Sequence, residues 1–169
     1  MTLELYAQPC DISATGFFFE TWEEYRAKAA RAVNAAGQPV EEFEIQFIEG
    51  DPLDAALAQA IGLSQANLKS FFDCSADWDD HQKLAAIVAV GECGYHVDLS
   101  KDDPDDLDLD IYEDFSLRDL AIHFVAEGLF GEVPERLANY LDFDAIGRDL
   151  GMDYAETEIA GQQLVYRCG

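Results

Sequence analysis

The stretch from Asp98 to Asp119, DLSKDDPDDLDLDIYEDFSLRD, constrains this chain more than any other, with ten acids against two basic residues. Its middle, Leu107 to Tyr112, alternates apolar and acidic residues with a period of two. Leu107, Leu109 and Ile111 are expected to face one way and Asp106, Asp108 and Asp110 the other, as on a half-buried strand with a wet carboxylate face. Neighbouring carboxylates on that face would stand roughly 6.5–7 Å apart, two residues of strand rise. Repulsion at that distance gives folding nothing, so the row is either a solvated surface or one that another molecule reads.

The bias extends through the chain: 35 acids face 10 bases over 169 residues, a formal net charge of −25. Such a field repels nucleic acid and membrane surfaces and attracts basic ones. Duplex DNA carries about one charge per 1.7 Å of axis, so 25 charges correspond to roughly 40 Å of duplex. Charge imitation of DNA is therefore arithmetically open, beside plain solubility. Twenty aromatics and ordinary apolar content give a folded core. MTLELYAQP lacks a basic leader region, and no apolar run approaches 18 residues, so neither a secretory leader nor a membrane span is expected. Cys10, Cys74, Cys93 and Cys168 form no CxxC pair and read as free thiols of a reducing cytoplasm.

In chain order, Leu3–Tyr6 and Gly16–Glu20 read as strands. Thr21 and Glu24 have capping-box spacing for a helix to about Ala36, and Phe43, Ile45 and Phe47 alternate with polar residues as a third strand. Asp51-Pro52 starts a short helix ending at Ile61-Gly62. Ser64 is expected to cap another through Phe72, and Ser75 or Asp77 a third with Trp78, Leu84, Ile87 and Val88 toward the core. After the acidic strand, Ser116 caps a helix from Leu117 to about Glu127, with Phe115 and Leu120 placed as a hydrophobic staple. Pro134 opens a helix to Tyr140, another short helix covers Phe143 to Leu150, and TEIAGQQLVYR is a hairpin turning at Ala160-Gly161. The fold class is α+β, an elongated chain of three small domains: 1–50 (α+β), 51–95 (all-helical) and 96–169 (α+β).

An EF-hand loop started at Asp106 fails, with Ile111 where glycine is needed and Leu117 where glutamate is needed. There is no GxGxxG, GxxxxGK[ST] or HExxH pattern. His81, His96 and His123 are far apart in sequence, no cysteine lies at ligand spacing from them, and His123 reads as structural. No catalytic residue, metal or cofactor is assigned. A carboxylate-dependent hydrolase remains a rival class; it requires one or two indispensable acids, whereas a charge mimic loses function gradually as acids are neutralised.

From Gly131 the chain reads GEVPERLANYLDFDAIGRDLGM. Gly131, Glu132, Val133, Pro134, Leu137, Tyr140, Asp142, Gly147, Arg148 and Asp149 resemble the C-terminal signature of the ArdA antirestriction family. The N-terminal order of strand, loop, Gly16-x-Phe18 strand, acidic helix and Glu41-Glu42-Phe43 strand is similar too, although the first loop is short and phenylalanine stands where the family usually has tryptophan. The resemblance implies an elongated three-domain homodimer, similar in shape and charge to bent B-form DNA. It implies occupation of the DNA-binding groove of type I restriction-modification enzymes, with no enzymatic activity. The acids expected to stand in for phosphates are Glu20, Glu23, Glu24, Glu42, Glu44, Asp77, Asp79, Asp80, Asp102, Asp103, Asp105, Asp106, Asp108, Asp110, Glu113 and Asp114. Within the motif, Gly131, Pro134 and Gly147 are expected to serve backbone geometry, Val133, Leu137 and Tyr140 to pack, and Arg148 to brace an ion pair or a dimer contact. A DNA mimic aimed at another basic DNA-binding protein, such as a nucleoid protein or regulator, is the alternative.

Overall fold

The computed structural model describes all residues from Met1 to Gly169. Contacts divide the chain into two compact units, Met1–Asp106 and Leu107–Gly169. Each combines helices with a three-stranded antiparallel sheet, so the class is α+β. The first unit contains both segments expected at 1–50 and 51–95, together with the chain to Asp106. No helix is long and apolar enough to cross a membrane.

In the first unit β1 (Glu4–Pro9) lies between β2 (Phe17–Phe19) and β3 (Phe43–Glu49). Leu5, Ala7, Phe19, Phe43 and Ile45 turn inward, where Tyr25, Leu57, Leu68, Phe71 and Leu84 complete the core. Phe19 and Tyr25 pack at a tilt with ring centroids 5.0 Å apart, and the Tyr25 hydroxyl accepts from Gln65 Nε2 at 2.8 Å.

Helix α1 (Trp22–Ala29) starts at Thr21, whose hydroxyl accepts the Glu24 amide at 3.1 Å. The expected reciprocal bond is displaced by one residue, because the Glu24 carboxylate takes the Glu20 amide instead. The helix also stops well before Ala36. Asn34 Oδ1 accepts the amides of Ala36 and Gln38, each at 3.0 Å, and that local bonding replaces continuation of the helix.

Helix α2 (Pro52–Ala60) begins as expected, with Asp51 accepting the Leu53 amide, and ends at Gly62, whose φ is +61°. Helix α3 (Leu68–Asp77) begins later than the expected Ser64, since Asn67 pins the preceding turn. Its Oδ1 accepts the Ser64 amide at 2.8 Å, and its Nδ2 donates to the carbonyls of Ile61 and Gly62. With α3 running to Asp77, the next helix cannot start at Ser75 or Asp77. Helix α4 (Asp80–Ile87) starts at Asp79, which forms a reciprocal capping box with Gln82. It continues into a π-helical turn, Val88–Glu92.

In the second unit β6 (Gln162–Cys168) lies between β4 (Leu109–Glu113) and β5 (Ala155–Ile159). The β5–β6 hairpin turns on Ala160 and Gly161 with φ of +52° and +81°, the positive angles that a two-residue hairpin turn requires. Ser116 and Asp119 form a capping box at the start of α5 (Leu117–Ala126). Leu120, Phe124 and Val165 form the core, with Phe115, Tyr112, Leu150 and Tyr154 against it.

Helix α6 (Glu135–Ala138) is shorter than expected, and α7 (Phe143–Leu150) starts at Asp142, which accepts the Ala145 amide. A Cβ at Gly147 would lie 3.1 Å from the Leu117 carbonyl carbon and oxygen, so α7 meets the first turn of α5 at backbone distance. Gly147→Ala is expected to cost about 1–3 kcal/mol through overpacking, read as a fall of several degrees in the thermal midpoint. An unchanged midpoint would show that the two helices part freely.

Cys10 and Cys74 are free thiols. Cys93 and Cys168 are disulfide-bonded, which corrects the expectation of four free thiols; their sequence spacing carries no sign of it.

Candidate acidic interaction surface

Of the sixteen acids expected to form the surface, thirteen are exposed and three, Glu24, Asp110 and Glu113, are half-buried. Fifteen of them fall into two kinds by what their oxygens do. The first kind bonds to the chain itself. Between Asp98 and Asp106 the acids fold the loop: Asp98 accepts from the Ser100 amide, the Ser100 hydroxyl and Lys101 Nζ. Asp102 accepts the Asp98 amide at 2.7 Å, Asp103 the Asp105 amide, and Asp105 an N–H of the Gln82 side chain. The bond from Lys101, then those from Ser100, hold the Asp98 carboxyl far below the usual carboxylate range. Asp79 caps α4, and Glu24 pairs with Lys28 at 2.6 Å.

The expected row of Asp106, Asp108 and Asp110 on one strand face is corrected. Asp106 ends a 3-10 turn, Pro104–Asp106, and the strand begins only at Leu109. Pro104 is buried and forms this turn in place of a longer strand. Asp110 lies opposite Arg167 in the β4–β6 register and accepts from both its Nε and Nη2, at 3.0 and 2.6 Å. The Arg167 guanidinium also sits 5.1 Å from the Tyr154 ring centroid. Glu113 accepts from the Gln162 side chain.

The second kind of acid has no such bond. Glu20, Glu23, Glu42, Glu44, Asp77, Asp80, Asp106 and Asp114 are exposed and bind neither base nor amide through their carboxylates. Few basic residues are left to compensate them. Lys28, Lys69, Lys83, Lys101, Arg118 and Arg167 each already pair with an acid of the same unit.

The motif segment divides differently from expectation. Gly131 has a φ of +89° and Gly147 a close helix contact, so both serve backbone geometry. Pro134 precedes α6, and Asp142 caps α7. Glu132 and Asp149 are exposed and Val133 is half-buried. Leu137 and Tyr140 do not pack: Tyr140 is 84% exposed, because α6 is a single turn with no buried residue. Arg148 is exposed and makes no local ion pair; the pair joining α5 and α7 is Arg118–Asp144 at 3.1 Å. Leu129 and Phe130 are exposed just before the motif, an apolar group the sequence reading missed although LFGEVPERLANY shows it once burial is known.

His123 packs among Tyr112, Phe115 and Phe124, with centroids 5.6–6.1 Å away, the surroundings of a structural residue. The Cys74 thiol is pushed up to about 11, by burial first and then by Asp73 and Asp77, which makes it a poor nucleophile at neutral pH. No protein-family model matches the chain, and no curated protein matches it.

Proposed function

We propose that this chain is a non-enzymatic mimic of B-form DNA that occupies the DNA-binding groove of type I restriction-modification enzymes. It would work as an elongated homodimer, without metal or cofactor. The observation that carries this reading is the excess of exposed carboxylates in both units, bonded to no cation, while most Lys and Arg side chains pair locally. Such a surface offers distributed negative charge to the lysines and arginines of a DNA-binding groove, in the role of phosphates. The exposed Leu129, Phe130, Leu137 and Tyr140 support self-association through the GEVP segment, since these apolar side chains are otherwise left in water.

The test is competition. The protein is titrated into a type I methyltransferase core bound to labelled target duplex, at about 50 and 200 mM salt. Displacement near stoichiometry at the lower salt is expected, and at least tenfold weaker displacement at the higher, because charge pairing dominates. Absence of displacement at both salts overturns the reading.

A further inference from the structure

The outer face of the β2-β1-β3 sheet has no covering element and carries an aromatic pair. Tyr6 and Phe18 stand opposite each other in the β1–β2 register, with ring centroids 4.7 Å apart, and Phe18 is 51% exposed. On the other side of Tyr6 lies Gln46, and in the next row Gln8 lies opposite Glu44. Glu20 and Glu42 extend the same two strands. The Tyr6 ring lies over Gly16, where a Cβ would overlap its hydroxyl and Cζ. Two rings thus already lie against each other before any partner arrives, which lowers the ordering cost of binding.

No base neutralises this face. Lys28, the base nearest β2, is engaged by the Phe18 carbonyl at 2.7 Å and by Glu24. Half-exposed aromatic rings beside unpaired carboxylates suit one cation better than any other. A guanidinium stacks its plane on a ring and donates in a fork to a carboxylate, whereas an ammonium is a compact, strongly hydrated point charge.

We propose that this sheet face docks an arginine-presenting protein surface, with Phe18 and Tyr6 as the stacking platform and Glu44, Glu42 and Glu20 as the carboxylate partners. The proposal rests on the DNA-mimic reading for the class of partner. It adds that part of the interface reads arginine in particular, which a pure phosphate mimic would not.

The test uses two probes, a decaarginine and a decalysine peptide, with binding followed by fluorescence anisotropy at fixed salt. Decaarginine is expected to bind the full chain about two- to fivefold more tightly than decalysine. Phe18→Ala and Phe18→Leu are both expected to bring that ratio close to one while decalysine binding stays unchanged; the leucine variant keeps apolar bulk at a half-exposed site. Glu42→Gln with Glu44→Gln is expected to weaken both peptides together. A ratio unchanged in both Phe18 variants overturns the proposal. So does loss of self-association in those variants, by sedimentation, with the ratio intact, which would assign the face to a second copy of the chain. Failure to displace duplex from a methyltransferase would instead remove the type I target and leave the peptide ratio as measured.

Discussion

Lys83→Met is expected to lower the stability of the first unit by about 3–5 kcal/mol, because it strands a buried carboxylate. Lys83 Nζ lies 2.8 Å from Asp54 Oδ1, with the two side chains only 9% and 11% exposed. The approach is off the direction of a hydrogen bond, so Oδ1 depends on the ammonium charge alone. Nζ also donates to the Ser75 carbonyl, joining α2, α3 and α4 at one point. Replacing both partners with apolar groups, Asp54→Leu with Lys83→Met, is expected to restore most of the loss, since an ion pair out of water recovers little more than its own desolvation. Both tryptophans, Trp22 and Trp78, belong to this unit, so urea unfolding followed by their fluorescence reads it directly. A single variant that unfolds at the wild-type urea concentration would show that the pair is wet in solution.

Gly16→Ala is expected to cost the same unit about 3 kcal/mol, at the upper end of overpacking. The new methyl would fall 2.5 Å from the Ala7 carbonyl oxygen and closer still to the Tyr6 hydroxyl. The ring could swing away, but the carbonyl belongs to the central strand and cannot. Gly16 does not adopt a positive φ, so alanine suits its backbone and the whole cost is steric. A melt within one degree of wild type would show that β2 moves aside at no cost. The same substitution is expected to disturb the Tyr6–Phe18 platform.

The elements legible in the sequence are those set by local chemistry. Asp51-Pro52, Ser116 and Ala160-Gly161 act within two or three residues of themselves, and each does in the structure what its type and spacing require. Two of the misplaced boundaries fall where a side-chain amide bonds locally. Asn34 shortens α1, and Asn67 delays α3, by bonding to backbone groups that a helix would otherwise use. The acidic strand was legible as a strand, but its length and charge were not. Pairing of Asp110 with Arg167 joins residues 57 apart in sequence, which no window of local pattern contains. The exposed state of Tyr140 was hidden for a similar reason. An apolar residue at helical spacing implies burial only if a partner surface lies over it, and a one-turn helix provides no such surface.

The division of the acids into those bonded to backbone amides and those bonded to nothing sets different tolerances to substitution. Asp79 and Asp142 each work through one oxygen at a helix N-cap, and a glutamate there would overshoot the amide it serves. Glu23, Asp77, Asp106 and Asp114 contribute only a charge at a place. Aspartate and glutamate are interchangeable there, and a shift of one residue along a loop leaves the summed potential almost unchanged. Under the proposed charge mimicry, drift would accumulate fastest among these exposed acids and slowest in the helix caps, the reverse of an enzyme whose active site is its most invariant part.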